Sequence, residues 1–330
     1  MVRFLAHRAG SLVVVVCSLL VLVFALSRVG GDPVRAYLGP NASQSAVAET
    51  RARLGLDQPL PAQFIDYVLR LVNGDLGISY STRRPVVEEL AVRIPATVEL
   101  ALWAVIFAVL IAIALSGLYT LRGRGAGIVR FVLFSAASAP SFLLATGGVL
   151  LFFAVLGALP ASGRSSFGAS QGLTGFYVLD GLIAGSPAYS WDAALHLILP
   201  ALAASIGPGV ALARVLADGL SGAMTSPYAR TARSLGEGER TILVRHGFRN
   251  AASPALSMLG VQIGMMLSSL VVVEQIFSWN GLGQYLTRAI SAADVNSIAA
   301  VSLILGVFYV VMNAVVDIVL AAVDPRIRLT

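Results

Sequence analysis

The stretch LALWAVIFAVLIAIALSGLYTL, residues 100–121, carries no charged residue and decides the fold class of this chain. About 20 helical residues cross the roughly 30 Å hydrocarbon layer of a membrane, so a run of this length predicts a membrane-spanning helix. Reading outward from it, between one charged residue and the next, gives five more uncharged windows of at least 19 residues. They are residues 9–27, 131–163, 193–213, 250–273 and 295–316. We therefore expect an all-α integral membrane protein with six transmembrane helices.

Composition leads to the same class and excludes several functions. Hydrophobic residues make up 57% of the 330 residues and charged residues only 12%, which a soluble domain with an ordinary charged surface does not reach. The one cysteine, Cys17, excludes an internal disulfide and a cysteine metal cluster. All 23 basic residues are arginine, which excludes a Walker A loop because that loop needs a lysine. The arginines are spread over loops, so the net charge of +6 indicates membrane topology rather than nucleic-acid binding.

Three apolar segments need separate interpretation. The first window follows Arg3 and Arg8 and could be a cleaved signal peptide, but its long apolar core and the five later windows favour a retained anchor. The third window is too long for one span, and Pro160 predicts that its helix ends near residue 158. The apolar patch at 176–185 is too short to cross a membrane and contains Asp180, so we expect it to pack at an interface.

An even number of spans places both termini on one side of the membrane. With the termini in the cytoplasm, the inner segments hold 13 arginines and the outer segments 10, and the short loop at 122–130 carries three. Basic residues in short loops favour the cytoplasmic side, so we expect both termini there. The predicted organisation is a transmembrane helix at 1–29, an extracellular helical segment at 30–96, a membrane core at 97–323 that includes a cytoplasmic loop at 216–254, and a cytoplasmic tail at 324–330.

The extracellular segment contains one stretch with helical periodicity. Apolar residues recur there at steps of three and four, at Phe64, Tyr67, Val68, Leu71 and Val72. This spacing predicts an amphipathic helix and therefore a small helical insertion after the first span.

A short polar helix with its own start and stop signals is predicted in the cytoplasmic loop. Ser226 can cap it, Pro227 suits its first turn, and Gly236 can end it in a left-handed conformation. A helix of about two and a half turns is not stable alone in water, so another surface must hold it. One stripe of the helix carries Tyr228, Thr231, Ala232 and Leu235, and Arg230 and Arg233 face elsewhere.

The residues that follow this helix predict a second, amphipathic one over 239–252. Arg245, His246 and Arg249 share a polar face, opposite an apolar face, which suits a helix lying along the membrane surface. From pattern alone, the whole region could also be a basic loop held by anionic lipid.

Polar groups inside spans are costly and tend to face a partner or a water-filled route. In the sixth window such groups recur on one stripe, at Ser302, Gly306, Tyr309, Asn313 and Asp317. In the fifth, a stripe of small residues at Gly260, Gly264 and Ser268 could permit close helix packing, with Gln262 and Ser269 on a neighbouring face. Candidate residues of a translocation path are Gln262, Ser269, Ser302, Tyr309, Asn313 and Asp317. The sixth-window stripe faces either a pore or another subunit.

The run SPYARTARSLGEGERTILVRHGFRNAASPALSMLG, at 226–260, resembles the cytoplasmic loop of the permease subunits of binding-protein-dependent ABC importers, in the dipeptide, oligopeptide and nickel branch. In that family a glycine is followed eighteen residues later by a proline, as Gly236 is by Pro254. Two departures are Arg230, where the wider superfamily has glutamate, and Asn280, where the family usually has proline. The similarity continues in GGDP at 30–33, RLGLDQPLPAQF at 53–64, NGDLGISY at 73–80, RIPATVEL at 93–100, EQIFSWNGLGQ at 274–284 and DPRIR at 324–328.

The resemblance implies a type I ABC importer permease with a coupling helix at Pro227–Leu235, seated in a cleft of a separate ATPase subunit. Tyr228 and Leu235 would be its anchors, and Arg230 and Arg233 would face acidic residues at the cleft rim. The coupling residues would be Ser226, Pro227, Tyr228, Ala229, Arg230, Thr231, Ala232, Arg233, Leu235 and Gly236. The chain itself would be no enzyme and bind no cofactor, because ATP and Mg would lie on the ATPase subunits. Its partners would be two ATP-binding subunits, a second, related permease chain, an extracytoplasmic substrate-binding protein and a peptide substrate.

A secondary transporter, driven by an ion or proton gradient, is the alternative function. Such a protein should show paired halves with broken helices, or an acidic coupling site near the middle of the membrane. The sequence shows no such repeat, and the acids nearest to the windows, Glu99, Glu274 and Asp317, lie toward their ends.

Overall fold

The computed structural model describes residues 2–29, 34, 43–53, 57–121, 126–170 and 172–323, and nearly all of the secondary structure in them is helical. The first half of the described residues contains α1 (Val2–Val29), α2 (Gln44–Arg53), α3 (Leu60–Val72), α4 (Val86–Leu121) and α5 (Ala126–Ala137). The second half contains α6 (Ser141–Val155), α7 (Tyr177–Ile183), α8 (Pro187–Thr225), α9 (Pro227–Ser234), α10 (Glu239–Ile276), α11 (Leu282–Ser291) and α12 (Val295–Val323). The predicted tail at 324–330 and the GGDP segment lie outside the described residues.

Within the described residues, four helices are long and apolar enough to cross a membrane: Val86–Leu118, Pro187–Thr225, Glu239–Ile276 and Val295–Val323. Three of them contain the whole windows predicted at 193–213, 250–273 and 295–316. The first contains the window predicted at 100–121 as far as residue 118. The window at 9–27 lies within α1, whose described apolar portion is Gly10–Ala25. The predicted amphipathic helix around Phe64 is α3, and the predicted patch at 176–185 is α7, which is too short to cross.

The prediction of one helix from the third window to residue 158 is wrong. Two helices occupy this segment, because α5 ends at Ala137 and α6 begins at Ser141 and ends at Val155. Pro140 lies at this break with an extended ψ of 148°, where its ring removes a backbone donor and disfavours helical geometry at the preceding residue. The hydroxyl of Ser138 donates to the carbonyl of Phe134 over 3.0 Å and completes the end of α5.

The centre of the fold is formed by α4, α8 and α10. Of the four long helices, α8 is the most enclosed, with 61% of its apolar window buried. Alanines line much of the contact between α4 and α8, which lets the two backbones approach closely. The larger core side chains, Leu100, Leu270, Phe277 and Trp279, fill one end of this three-helix centre. At the other end, the C-terminal part of α8 packs against the first turns of α10.

Candidate functional site

The predicted short cytoplasmic helix is α9, and its ends have the expected caps. The hydroxyl oxygen of Ser226 accepts a hydrogen bond from the backbone N–H of Ala229 at 3.4 Å, and Pro227 is the first helical residue. At the other end Gly236 has a φ of +86°, in the left-handed region that glycine adopts without strain. The N–H of Gly236 donates to Arg233 and the N–H of Glu237 donates to Ala232, which is the Schellman pattern of helix termination. The bounds predicted from Ser226 and Gly236 are therefore confirmed.

The inner face of α9 packs against the rest of the chain. Ala229 and Ala232 are buried together with Ile242 of α10, and the partly buried Met224 of α8 packs on them. Both alanines belong to the coupling residues that the resemblance implies, and Ala232 lies on the predicted stripe with Tyr228 and Leu235. In this structure both alanine side chains are buried against their own chain, so their part in coupling is to hold α9 in place rather than to line its exposed surface. Their small size allows α9 to lie close to the ends of two long helices.

The outer face of α9 presents apolar side chains to its surroundings. Leu235 is 78% exposed and Tyr228 is 42% exposed, with Thr231 exposed between them. Asn250 donates to the hydroxyl of Tyr228 over 3.3 Å, and the Tyr228 ring centroid lies 6.4 Å from that of His246. Large apolar side chains held outward on a fixed helix are typical of a protein–protein contact.

The two arginines of α9 differ in their contacts. Arg233 holds the carboxylate of Glu239 at 2.5 and 3.0 Å through two guanidinium nitrogens, and its third nitrogen donates to the carbonyl of Met224 at 3.0 Å. Arg233 therefore links α9 to the end of α8 and the start of α10. Arg230 is exposed. That either arginine faces acidic residues of a partner stays a prediction.

The prediction of a separate helix along the membrane surface over 239–252 is also wrong. This segment continues directly into the long helix α10, with a wider, π-type turn at Ile242–Gly247. Leu243 and Ala251 are buried against Leu216 and Leu220 of α8 rather than spread on a lipid surface. The short helix α9 is therefore attached to both α8 and α10, which flank it and are packed on each other.

A cavity of about 1100 Å³ lies beside α9, between α5 and the C-terminal end of α8. The guanidinium of Arg214 lies 4.5 Å from the ring centroid of Phe134 on one side of it. Its charged lining consists of Arg214, Asp218, Arg230, Arg233 and Glu239. Because Glu239 is already bound by Arg233, the remaining charges are two arginines and one aspartate, which favours an acidic surface as the neighbour of this cavity.

Two candidate residues of the translocation path form a contact between helices of this chain. Tyr309 and Asn313 of α12 lie against the small-residue stripe of α10: a β-carbon built on Gly264 would lie 3.0 Å from the Tyr309 ring, and one on Gly260 would lie 2.9 Å from the Asn313 amide oxygen. The predicted close packing at this stripe is confirmed. Gln262 is buried, while Ser269, Ser302 and Asp317 are half-buried. The polar stripe of α12 thus forms, in part, a contact within the chain.

Replacing Gly264 with leucine is expected to destabilise the protein by about 1–3 kcal/mol, because the new side chain must displace the Tyr309 ring in a packed interface. Gly117→Leu in α4 is the matched control, since a β-carbon there meets nothing within 4 Å. Thermal unfolding of the purified membrane complex measures the difference. Equal stability of the two variants would contradict the packing of α10 against α12.

Two buried carboxylates hold short helices at the end of the bundle opposite α9. Glu274, near the C-terminal end of α10, is fully buried, and its two oxygens accept hydrogen bonds from the hydroxyl of Thr97 at 2.5 Å and from the N–H groups of Gly283 and Gln284 at 2.7 and 3.1 Å. These N–H groups belong to the first turn of α11, where a helix leaves its amides unpaired. Glu274 therefore holds α11 by its N-terminus.

The second carboxylate, Glu99 of α4, does the same for α7. Its oxygens accept from the N–H groups of Tyr177 and Val178 at 3.2 and 3.0 Å, and it pairs with Arg164 at 2.6 Å. The Arg164 guanidinium also lies 3.7 Å from the Tyr177 ring centroid. Sequence reasoning missed both roles, although the position of each acid at the edge of an apolar window was a signal for them.

A third buried acid, Asp294, anchors the turn that precedes α4. The hydroxyls of Ser79 and Ser297 donate to one of its oxygens at 2.5 and 2.8 Å, and the amide of Asn296 donates to the carbonyl of Ile78 at 3.0 Å. The segment NGDLGISY is thereby fixed to the connection between α11 and α12.

Replacing Asp294 with alanine is expected to release this turn, because the buried hydroxyls of Ser79 and Ser297 lose their acceptor. Each buried polar group left unsatisfied costs about 1–3 kcal/mol. Trypsin added from outside should then cut after Arg83 at least about tenfold faster, the factor that corresponds to 1.4 kcal/mol. Asp75→Ala is the matched control, since Asp75 is exposed and accepts only a local bond from Gly77. Unchanged cleavage in Asp294→Ala would contradict the anchoring role.

Comparison with known proteins agrees with these features. Residues 104–329 match the family described as binding-protein-dependent transport system inner membrane component, and residues 1–101 match the N-terminal family of the same transport-system membrane components. The chain is 37% identical over 328 residues to a probable D,D-dipeptide transport system permease protein of Escherichia coli (strain K12), covering 98% of this chain and 96% of the relative. It is 36% identical over 334 residues to a di/tripeptide transport system permease protein of Pseudomonas aeruginosa, with 99% of each chain covered. A glutathione transport system permease protein of Salmonella typhi is 33% identical over 334 residues, again with 99% of each chain covered. The family match and the full-length relatives show that this chain belongs to the binding-protein-dependent transport system inner membrane components.

Proposed function

We propose that this chain is the permease subunit of an ATP-driven importer of peptides. Relatives similar over almost their full length are named as permeases for D,D-dipeptides, di- and tripeptides and glutathione, which share a short peptide backbone. The family description names a binding protein, and we propose that it delivers the peptide on the outer side. ATP and Mg bind to two separate ATPase subunits, because this chain has no lysine with which to build a Walker A loop.

The geometry of α9 is the observation that carries this proposal. Its inner face is packed on α8 and α10 through Ala229 and Ala232. Tyr228 and Leu235 are exposed together on a neighbouring stripe, and Arg230 is exposed on another side of the helix. A short helix with one packed face and exposed apolar side chains beside it suits binding in a cleft of another protein. We assign this cleft to an ATPase subunit. Closure of the two ATPase subunits then shifts α8 and α10 between two packings, because the packed helices move as rigid bodies.

The proposed topology has six spans: α1, the segment containing α5 and α6, and the four long helices. Both termini are cytoplasmic, and the segment from residue 30 to residue 96 is an outer insertion. The arginine-rich loop at 122–130 supports this orientation. A second, related permease chain completes the translocation path.

Uptake by reconstituted vesicles tests the proposal against the alternative of a secondary transporter. The complete complex, with binding protein and labelled dipeptide outside and ATP inside, is expected to accumulate peptide when all ion gradients are dissipated by ionophores. An ATPase subunit unable to hydrolyse ATP is expected to stop uptake. Uptake that survives the hydrolysis block and is lost with the ionophores would establish the secondary transporter instead.

A further inference from the structure

The outer helix α3 packs against α1 with one of its faces. The ring of Phe64 meets Phe24 of α1 edge to face with centroids 5.2 Å apart, and the ring of Tyr67 lies 6.0 Å from that of Phe24. The side chain of Tyr67 is so enclosed that burial raises its pKa to about 12. These contacts fix both the place of α3 and its rotation about its own axis.

A second face of α3 is apolar and exposed. Ile65, Leu69 and Val72 lie one helical turn apart, at i, i+4 and i+7, and more than half of each side chain is exposed. Asp66 and Arg70 are also exposed and form a charged edge beside this face. The face is purely aliphatic, without the tryptophan, tyrosine or arginine that usually anchors a protein partner.

An exposed stripe of α1 ends at Phe24, the residue that contacts α3. Phe24 ends a stripe of α1 that also contains Val14, Cys17 and Val21, all exposed, at helical steps of three and four. Phe24 precedes the end of α1 at Val29 by five residues, or about 7.5 Å along the helix axis. Interfacial helices bury their apolar face about 5–10 Å into the boundary between headgroups and acyl chains, which is the same depth.

We propose that α3 lies in the plane of the extracytoplasmic surface of the membrane that α1 spans, with Ile65, Leu69 and Val72 in contact with lipid acyl chains. The continuity with the exposed stripe of α1 favours lipid over a protein occupant, because that stripe is mostly apolar and ends at Phe24, whose ring contacts α3. Asp66 and Arg70 lie at the headgroup level, where Arg70 can extend its charge toward water. The inference rests on the proposed placement of α1 as a membrane span. Through α3, the outer insertion is attached to the bilayer as well as to α1.

Spin labels on single cysteines test this placement in the complete complex, reconstituted in vesicles of phosphatidylethanolamine and phosphatidylglycerol with Cys17 replaced by serine. At Leu69→Cys and Val72→Cys, collisions with oxygen, which dissolves in lipid, are expected to exceed those with a water-soluble nickel chelate. At Asp66→Cys on the charged edge, the order is expected to reverse. Val72 is 79% exposed, so a label there replaces few native contacts.

Two results would overturn the proposal. Nickel accessibility at residues 69 and 72 as high as at 66 would place the face in water, and low accessibility to both reagents would place a protein on it. A label at Val14→Cys of α1 separates these failures from failure of the membrane topology. Oxygen accessibility at Val14 with none at Leu69 refutes the position of α3 alone, whereas nickel accessibility at Val14 refutes the span itself.

Discussion

Gly236→Trp is expected to abolish ATP-driven uptake while leaving membrane insertion unchanged. Gly236 has a φ of +86°, and a side chain in this left-handed conformation costs about 1–2 kcal/mol. A β-carbon at this position meets nothing within 4 Å, so the variant does not clash with its own chain. The indole is instead expected to extend beside Leu235, on the face proposed to meet the ATPase subunit, and to alter the end of α9. Uptake by reconstituted vesicles and the amount of chain in the membrane are the two measurements.

Gly236→Asn is the matched control for this variant. Asparagine tolerates the left-handed conformation and is small enough to leave the outer face of α9 clear, so most uptake should remain. Normal uptake by the tryptophan variant would count against the assignment of α9 as the coupling helix. Loss of uptake in the asparagine variant as well would mean that the backbone of Gly236 matters rather than its exposed surface.

Glu274→Ala is expected to have the largest effect on stability, a loss of about 3–5 kcal/mol. The variant leaves three buried donors without an acceptor, namely the hydroxyl of Thr97 and the N–H groups of Gly283 and Gln284. Each unsatisfied buried group costs about 1–3 kcal/mol, and relaxation recovers part of the sum. The N-terminus of α11 should then detach from α4 and α10. The thermal unfolding midpoint of the purified complex reports the change.

Glu274→Gln separates hydrogen bonding from simple filling of space. Glutamine keeps one acceptor oxygen and nearly the same volume, so its loss of stability should lie between those of the wild type and the alanine variant. If alanine and glutamine are equally harmful, the negative charge rather than the hydrogen bonds is what the site needs. An alanine variant as stable as the wild type would contradict the role of Glu274 altogether.

The sequence predicts best those features that local chemistry determines. The ends of α9 follow from Ser226 and Gly236, since a cap depends on residues within one turn of it. The long spans follow from uninterrupted apolar windows. The break at Pro140 was missed because a search for charged residues detects hydrophobicity but not the geometry of a proline in the middle of a window.

Features that depend on distant or competing contacts were not predictable in this way. Thr97 and Glu274 are 177 positions apart, and only the folded chain brings the hydroxyl to the carboxylate. The two faces of α9 carry similar patterns, and burial of Ala229 is decided by Ile242, which belongs to another helix. The start of α10 has a polar face that would suit a membrane surface, yet Leu243 is buried against α8 instead. In each case tertiary packing decides between alternatives that the local pattern leaves open.

The central claim, that α9 is seated in an ATPase subunit, is tested most directly by cross-linking. A photoreactive probe is attached to Leu235→Cys in the complete importer, with Cys17 replaced by serine and with Ile128→Cys of α5, which is exposed but not on α9, as the matched control. The account predicts that the probe at residue 235 captures the ATPase subunit and that the probe at residue 128 captures it far less. Capture of lipid alone at residue 235, or equal capture of the ATPase subunit from both positions, would contradict it.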